Sequence, residues 1–239
     1  MTRSACVRHF EARFGALGSP ERAEGAKAYM KSELRFHGVD AKTLRTEALA
    51  FCKAHYVHDH DHDRLDRSAL VADVNALFAT DGFDLRSAAV ALLERKWKLL
   101  EPTDAPWLAE IARRAACWAH VDWLATKVIA PLLEDHRSLP RLVRAWACDD
   151  FFWVRRVALL AQLPALRRGG GDFALFTEIA APMLEEREFF IRKAIGWVLR
   201  EVSKKRPKLV RAFLSEHGER CSGVTLREAR KYLPALKTR

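Results

Sequence analysis

One stretch near the middle of the chain, RRAACWAHVDWLATKVIA, reads as a helix with a single carboxylate, Asp122. Cys117, Val121, Leu124 and Val128 form a buried stripe, and Ala115, Trp118, Asp122, Ala125 and Ile129 form the face beside it. Asp122 therefore stands one turn after a tryptophan, among alanines and an isoleucine. A carboxylate in such surroundings is costly unless it is paired or used. It is either bonded to a neighbouring arginine such as Arg156, or available to stabilise positive charge in a reacting molecule. A second aromatic raises a related question. In EFFIRKAIGWVLREVSKK, the apolar stripe is Ile191, Ala194, Ile195, Val198 and Val202, yet Trp197 shares the opposite side with Lys193, Arg200 and Lys204. An indole among three cations suits contact with a sugar or base beside bound phosphates, unless a neighbouring helix simply covers it. A third polar feature, HYVHDHDHDR from His55 to Arg64, offers ligands for a transition metal, but alternating His and Asp without further fixed geometry reads as a solvated helix end and loop.

The elements that position these residues are helices. Segments of about two to five turns, joined by short punctuated loops (LGSP, EPTDAP, RRGGGD), run through the chain, and no segment shows the period-two alternation of a strand. Three segments resemble one another: FDLRSAAV from Phe83, FWVRRVAL from Phe152 and FFIRKAIG from Phe189. Their spacings of 69 and 37 residues amount to two periods and one period of a helical repeat, which predicts an all-α solenoid of the HEAT or armadillo kind over residues 1–239, as one array. Arg86, Arg155 and Arg192 share one register and are expected to bond adjacent repeats. The next position varies as Ser87, Arg156 and Lys193, which makes Arg156 and Lys193 the candidates for a surface task.

Composition limits the partners. The 239 residues are 49% hydrophobic, enough for a sizeable core. No apolar run approaches the ~18 residues of a membrane span, and the first residues show no apolar signal region, so a soluble intracellular protein is expected. Five cysteines, widely scattered and never in a CxxC pair, suggest reduced and mostly buried thiols rather than a disulfide framework or a zinc ribbon. The net charge of +10 is uneven: residues 1–136 hold 19 Lys and Arg against 20 Asp and Glu, and residues 137–239 hold 22 against 11. A localised positive field is what a polyanion needs; a merely soluble basic surface or a contact with an anionic membrane accounts for the same charge.

Several motifs in order then resemble one family, the AlkD-like DNA alkylation-repair glycosylases, which are HEAT-like solenoids. YMKSELRFHGVDAKTLR is similar to the family's YMK segment, with Thr43 where proline is usual. WAHVD resembles W-x-x-V-D, with Ala119 in place of the usual aspartate. FFWVRRVALLAQL, EFFIRKAIGWVLREVSKKRP and LREARKYL follow in the family's order. The resemblance implies a catalytic aspartate at Asp122, sugar-contacting tryptophans at Trp118 and Trp197, an arginine role at Arg156 and a cleft tyrosine at Tyr29. Lys193, Arg200, Lys204 and Lys205 are the expected contacts to the DNA backbone on a basic concave face.

What the resemblance implies chemically is hydrolysis of the N-glycosidic bond of N3- or N7-alkylated purines in duplex DNA, without base flipping, cofactor or metal, by a cytoplasmic monomer needing no protein partner. Two other readings stand beside it: a non-catalytic helical-repeat protein that binds distorted or branched DNA, and a HEAT-type scaffold for protein interaction, for which little DNA affinity is expected.

Overall fold

The computed structural model describes residues 4–56, 63–136 and 139–233. Those residues form helices and turns with no strand; an isolated parallel bridge joins Arg35 and Gly82. The chain divides into two compact units, Met1–Leu124 and Ala125–Arg239. None of the described helices is long and apolar enough to cross a membrane.

The first unit holds α1 (Ala5–Leu17), α2 (Pro20–Met30), α3 (Ala41–His55), α4 (Asp63–Phe78), α5 (Phe83–Lys96), α6 (Ala105–Arg113) and α7 (Trp118–Trp123). α5 is its centre and packs against α1, α3, α4 and α7. Its alanines and leucines are buried on nearly every side, as a helix enclosed by others requires. Phe10 and Phe14 of α1, Phe51 of α3 and Leu70, Val74 and Leu77 of α4 complete the core. Asp84, also buried, accepts the backbone N–H groups of His37 and Val39 at 2.6 and 3.2 Å and fixes the loop before α3. α2 differs from its neighbours in burying none of its residues. Its N-terminus is held instead by that loop: Gly38 has φ +75°, and a Cβ there would lie 2.1 Å from the Ser19 carbonyl oxygen.

The second unit holds α8 (Ala130–Asp135), α9 (Leu139–Ala147), α10 (Phe152–Leu160), α11 (Leu163–Arg167), α12 (Phe173–Ala180), α13 (Phe189–Ser203), α14 (Pro207–His217) and α15 (Gly223–Arg230). α13 is the hub and packs on α10, α11, α14 and, most extensively, α15. Gly196 permits that closeness, since a Cβ there would meet the Glu228 Cβ at 2.7 Å and the Thr225 Cα at 3.1 Å. A π-helical segment, Leu124–Ile129, follows α7 directly.

The helical repeat is plain in where helices begin. α5, α7, α10 and α13 start at Phe83, Trp118, Phe152 and Phe189, successive spacings of 35, 34 and 37 residues. The sequence spacing of 69 residues thus contains a further copy opened by Trp118 rather than phenylalanine. The arginine register behaves as expected of a structural role. Arg86 donates to the Thr80 carbonyl, Arg155 to that of Asp149 and Arg192 to that of Glu186, each six residues earlier. Arg86 also reaches the Arg114 carbonyl at 2.7 Å, and Arg155 forms a two-point pair with Glu186 at 3.0 and 2.8 Å, so each spans to the following repeat. The Trp118 copy has Val121 in this register, and His120 holds the joint instead. His120, 1% exposed, contacts the Ser87 hydroxyl at 2.9 Å, the Phe83 carbonyl at 3.2 Å and the Ala115 carbonyl at 3.2 Å. The described cysteines are free thiols, Cys148 exposed and the other four buried.

Candidate functional site

Three of the residues singled out from the sequence lie in the first unit. Trp118 is the first residue of α7 and is half-buried, and Asp122 is half-buried one turn later. Tyr29, at the exposed end of α2, is 71% exposed and meets the Trp118 ring edge to face, with centroids 5.8 Å apart and planes at 75°. A tyrosine so exposed contributes little to the core; α2 presents it beside the tryptophan. The start of α7 is set by its neighbours. Ala116 adopts φ +53°, turning the chain after α6, and His120 ties the first turn of α7 to α5. Asp122 is near enough to Cys117 to help burial push that thiol's pKa up. Trp123, the next residue, donates its indole N–H to Glu94 at 2.7 Å and carries the Arg45 guanidinium 4.5 Å above its ring.

The remaining candidates lie in the second unit, where the structure corrects one expectation and gives the cations partners. Arg156 does not stand on the surface: it is 3% exposed, donates to the Phe190 carbonyl and lies 5.6 Å over the Phe190 ring. Its register is the joint between repeats, since Ser87 at the equivalent place bonds His120, and Phe190 lies 34 residues beyond Arg156. Nor are Lys193, Arg200 and Lys204 unpaired cations. Lys193 and Arg200 both bond the Glu228 carboxylate, while Lys204 bonds Glu201 at 2.9 Å, which Arg200 and Arg167 approach at 3.4 and 3.2 Å. Lys204 also lies 4.8 Å over the Tyr232 ring. Lys205 is exposed and donates to the Arg168 carbonyl at 3.3 Å. Trp197 is half-buried, with the Arg167 guanidinium 6.0 Å from its ring centre.

This group has a definite electrostatic character. Four cations, Arg167, Lys193, Arg200 and Lys204, share two carboxylates, so positive charge remains in excess around Trp197. Burial pushes the pKa values of Glu201 and Glu228 up, but hydrogen bonds and attraction from these cations outweigh it, and both lie below the ordinary glutamate range. The glutamates tie the long cationic side chains in place. Sequence reasoning passed over Glu201, Glu228 and Arg167. Glu201 had a local signal, its i, i+3 spacing to Lys204; Glu228 lies 35 residues from Lys193, one full repeat, and only the repeat register points to it.

Among the described residues no group of His, Cys, Asp and Glu is arranged to hold a metal ion. Most of the His- and Asp-rich segment, residues 57–62, lies outside the described residues.

Fold and side chains together define an all-helical repeat protein with half-buried tryptophans, a carboxylate beside one of them and a cation cluster beside another. The model of the DNA alkylation repair enzyme family matches residues 10–233, and the chain belongs to that family. A predicted DNA alkylation repair enzyme from Enterococcus faecalis is similar over 92% of this chain and 98% of its own, with 25% identity and a TM-score of 0.79. Two Streptococcus mutans proteins share the fold. AlkD2 is 18% identical, covers 82% of this chain and 91% of its own, and has a TM-score of 0.60. The protein smu.31 is 17% identical, covers 81% and 92%, and has a TM-score of 0.59. No curated protein matches the sequence.

Proposed function

We propose that this protein is a monofunctional DNA glycosylase that removes cationic N3- or N7-alkylated purines from duplex DNA. Alkylation at either nitrogen gives the base a formal positive charge, so it leaves as a neutral molecule and no general acid is needed. O-Glycoside hydrolysis, by contrast, generally uses two carboxylates. Asp122, the one carboxylate of α7, supplies what the N-glycosidic reaction does require: a negative charge to stabilise the oxocarbenium developing at C1′ and an acceptor to orient the attacking water. Trp118 and Trp197 are assigned to the deoxyribose, where aromatic faces favour positive charge and exclude water. Tyr29 extends the aromatic surface beside Trp118. Arg156, being buried, acts by holding the start of α13 through the Phe190 carbonyl rather than by reaching out to a phosphate. Lys193, Arg200, Lys204 and Lys205 take backbone phosphates, which position the protein without reading sequence. In this reading the chain works as a monomer and a single array of repeats over residues 1–239, with a basic concave face on the duplex of the cytoplasmic nucleoid. The lesion stays unflipped, and neither metal nor cofactor takes part.

The observation that carries the reading is Asp122, half-buried one turn after Trp118 in a chain of the alkylation-repair family. Its test is single-turnover release of free base from a duplex containing N7-methylguanine, comparing wild type with Asp122→Asn. Losing about 3 kcal/mol of charge stabilisation slows the step roughly a hundredfold. The expected result is a rate at least tenfold lower in the variant with duplex binding retained. Tight duplex binding by wild type without release of this or a bulkier N3 or N7 adduct would establish the non-catalytic DNA-binding reading instead.

A further inference from the structure

The arrangement around Trp197 recurs once in the first unit, at a place the catalytic reading leaves unused. In the second unit Arg167 lies over the Trp197 ring at 6.0 Å and pairs with Glu201 at 3.2 Å, and Glu201 is preceded by Arg200. In the first unit Arg45 lies over the Trp123 ring at 4.5 Å and approaches Glu94 at 3.7 Å, and Glu94 is followed by Arg95. The two acid–arginine pairs hold corresponding places in their helices, eleven and twelve residues after Phe83 and after Phe189, with the order of charge exchanged. Each site therefore has an arginine over an indole, a glutamate near that arginine at 3.2 or 3.7 Å, and a second arginine beside the glutamate in sequence.

The first-unit copy is the more open of the two. Arg45, Ala91, Glu94 and Arg95 line a recess of about 310 Å³. The Arg45 side chain is 49% exposed, and Glu94 shares the oxygen nearest Arg45 with the Trp123 indole N–H at 2.7 Å. The carboxylate is thus tied more closely to the indole than to the guanidinium, which stands 4.5 Å over the ring on a half-exposed side chain. With Arg95 exposed on the same rim, two cations face the recess against one carboxylate. A planar guanidinium held over an indole suits two-point bonding to a tetrahedral oxyanion, whose entry restores the charge balance.

We propose that Arg45, supported by Trp123 and Glu94 and flanked by Arg95, is a backbone-phosphate subsite for duplex DNA. Arg45 itself belongs to α3, but the indole beneath it, Trp123, follows Asp122 directly on α7, so a phosphate bound there places the strand against α7. The proposal rests on the DNA-binding part of the reading above and is independent of whether Asp122 is catalytic.

The test is duplex affinity as a function of salt for wild type, Arg45→Gln and Arg45→Gln/Arg95→Gln, with Arg13→Gln as the control. Arg13 is an exposed arginine of the same unit paired with Glu47, so its loss removes the same charge away from the recess. One phosphate contact contributes about 0.9 to the slope of log K against log salt. Arg45→Gln is expected to weaken binding roughly tenfold at moderate salt and to reduce the slope by about that amount, the double variant further, and Arg13→Gln to stay within about twofold. Melting temperatures verify that each variant is folded. If Arg45→Gln matches Arg13→Gln while wild type binds duplex tightly, the subsite is overturned and the DNA reading survives. Competition by inorganic phosphate or a free mononucleotide as effective as duplex would assign the recess to a small phosphate ligand and overturn the DNA assignment. Failure of wild type to bind duplex at all would remove both.

Discussion

His120 is the buried group that acid attacks first. Burial is the main reason its pKa falls to about 4, with a smaller push from Arg86, while the Ala115 and Phe83 carbonyls and Asp84 act in the opposite direction. In the unfolded chain the imidazole titrates near 6.5, so protonation favours unfolding as pH drops through 6.5, and the loss is complete near pH 4. The difference amounts to about 3 kcal/mol. Glu201 and Glu228, depressed by their cations, lose their contribution only below the ordinary glutamate range, so the two windows are separable. Melting temperatures from pH 7.5 to 4.5 are expected to fall for wild type. His120→Asn is expected to start lower and fall less steeply; parallel slopes would show that His120 does not set the response. None of this was legible in WAHVD, because two of the three partners of His120, Ser87 and Phe83, come from a helix more than thirty residues earlier. Asp122 was legible, since its oddity is local: a lone carboxylate one turn from an indole on a small-residue face. The pairing of Lys193 and Arg200 was not, since a cation looks the same in sequence whether Glu228 reaches it or not.

Helices were legible wherever their period was undisturbed, and so was the arginine register that locks them, because Arg86, Arg155 and Arg192 repeat in type as well as place. The copy at Trp118 was hidden by substitution at both of its markers, tryptophan for phenylalanine and Val121 for arginine. It is also the copy that carries the candidate aspartate, Asp122 standing where the other copies have Ser87, Arg156 and Lys193. At the other extreme, α13 and α15 approach each other through Gly196, where the glycine looks in sequence like a weakness in a helix. Replacing it with alanine improves helix propensity by up to about 1 kcal/mol. The added Cβ, however, would lie 2.7 Å from the Glu228 Cβ and 3.1 Å from the Thr225 Cα. Backbone cannot yield as a side-chain tip does, and overpacking of this kind costs about 1–3 kcal/mol. Gly196→Ala is therefore expected to lower the melting temperature by a few degrees, which thermal denaturation measures. A rise would mean that α15 moves aside freely and that the α13–α15 contact does not hold the cation cluster in place.

Across the whole molecule, charge follows the structural division. Residues 1–124 hold 18 basic and 18 acidic side chains, and residues 125–239 hold 23 against 13, so the entire excess of +10 belongs to the second unit. A field concentrated in this way draws a polyanion toward one part of the protein, and its strength there is reduced by the glutamates set among the cations. Glu228 is the clearest case, because it engages Lys193 and Arg200 together. Glu228→Gln keeps the shape of the side chain and removes its charge. Lys193 and Arg200 then lose the anion that competes with phosphate, and duplex affinity is expected to rise several-fold, with the slope of log K against log salt steepening by up to about 0.9 for each phosphate newly engaged. The same change costs stability, of order 1–3 kcal/mol, because two half-buried cations are left with weaker partners. Salt-dependent duplex binding and thermal denaturation on one variant measure both effects. Tighter binding with lower stability assigns Glu228 to holding the cations ready at the expense of affinity. Lower stability with unchanged binding would instead remove Lys193 and Arg200 from the DNA interface and leave Lys204, Lys205 and the Arg45 recess to hold the backbone.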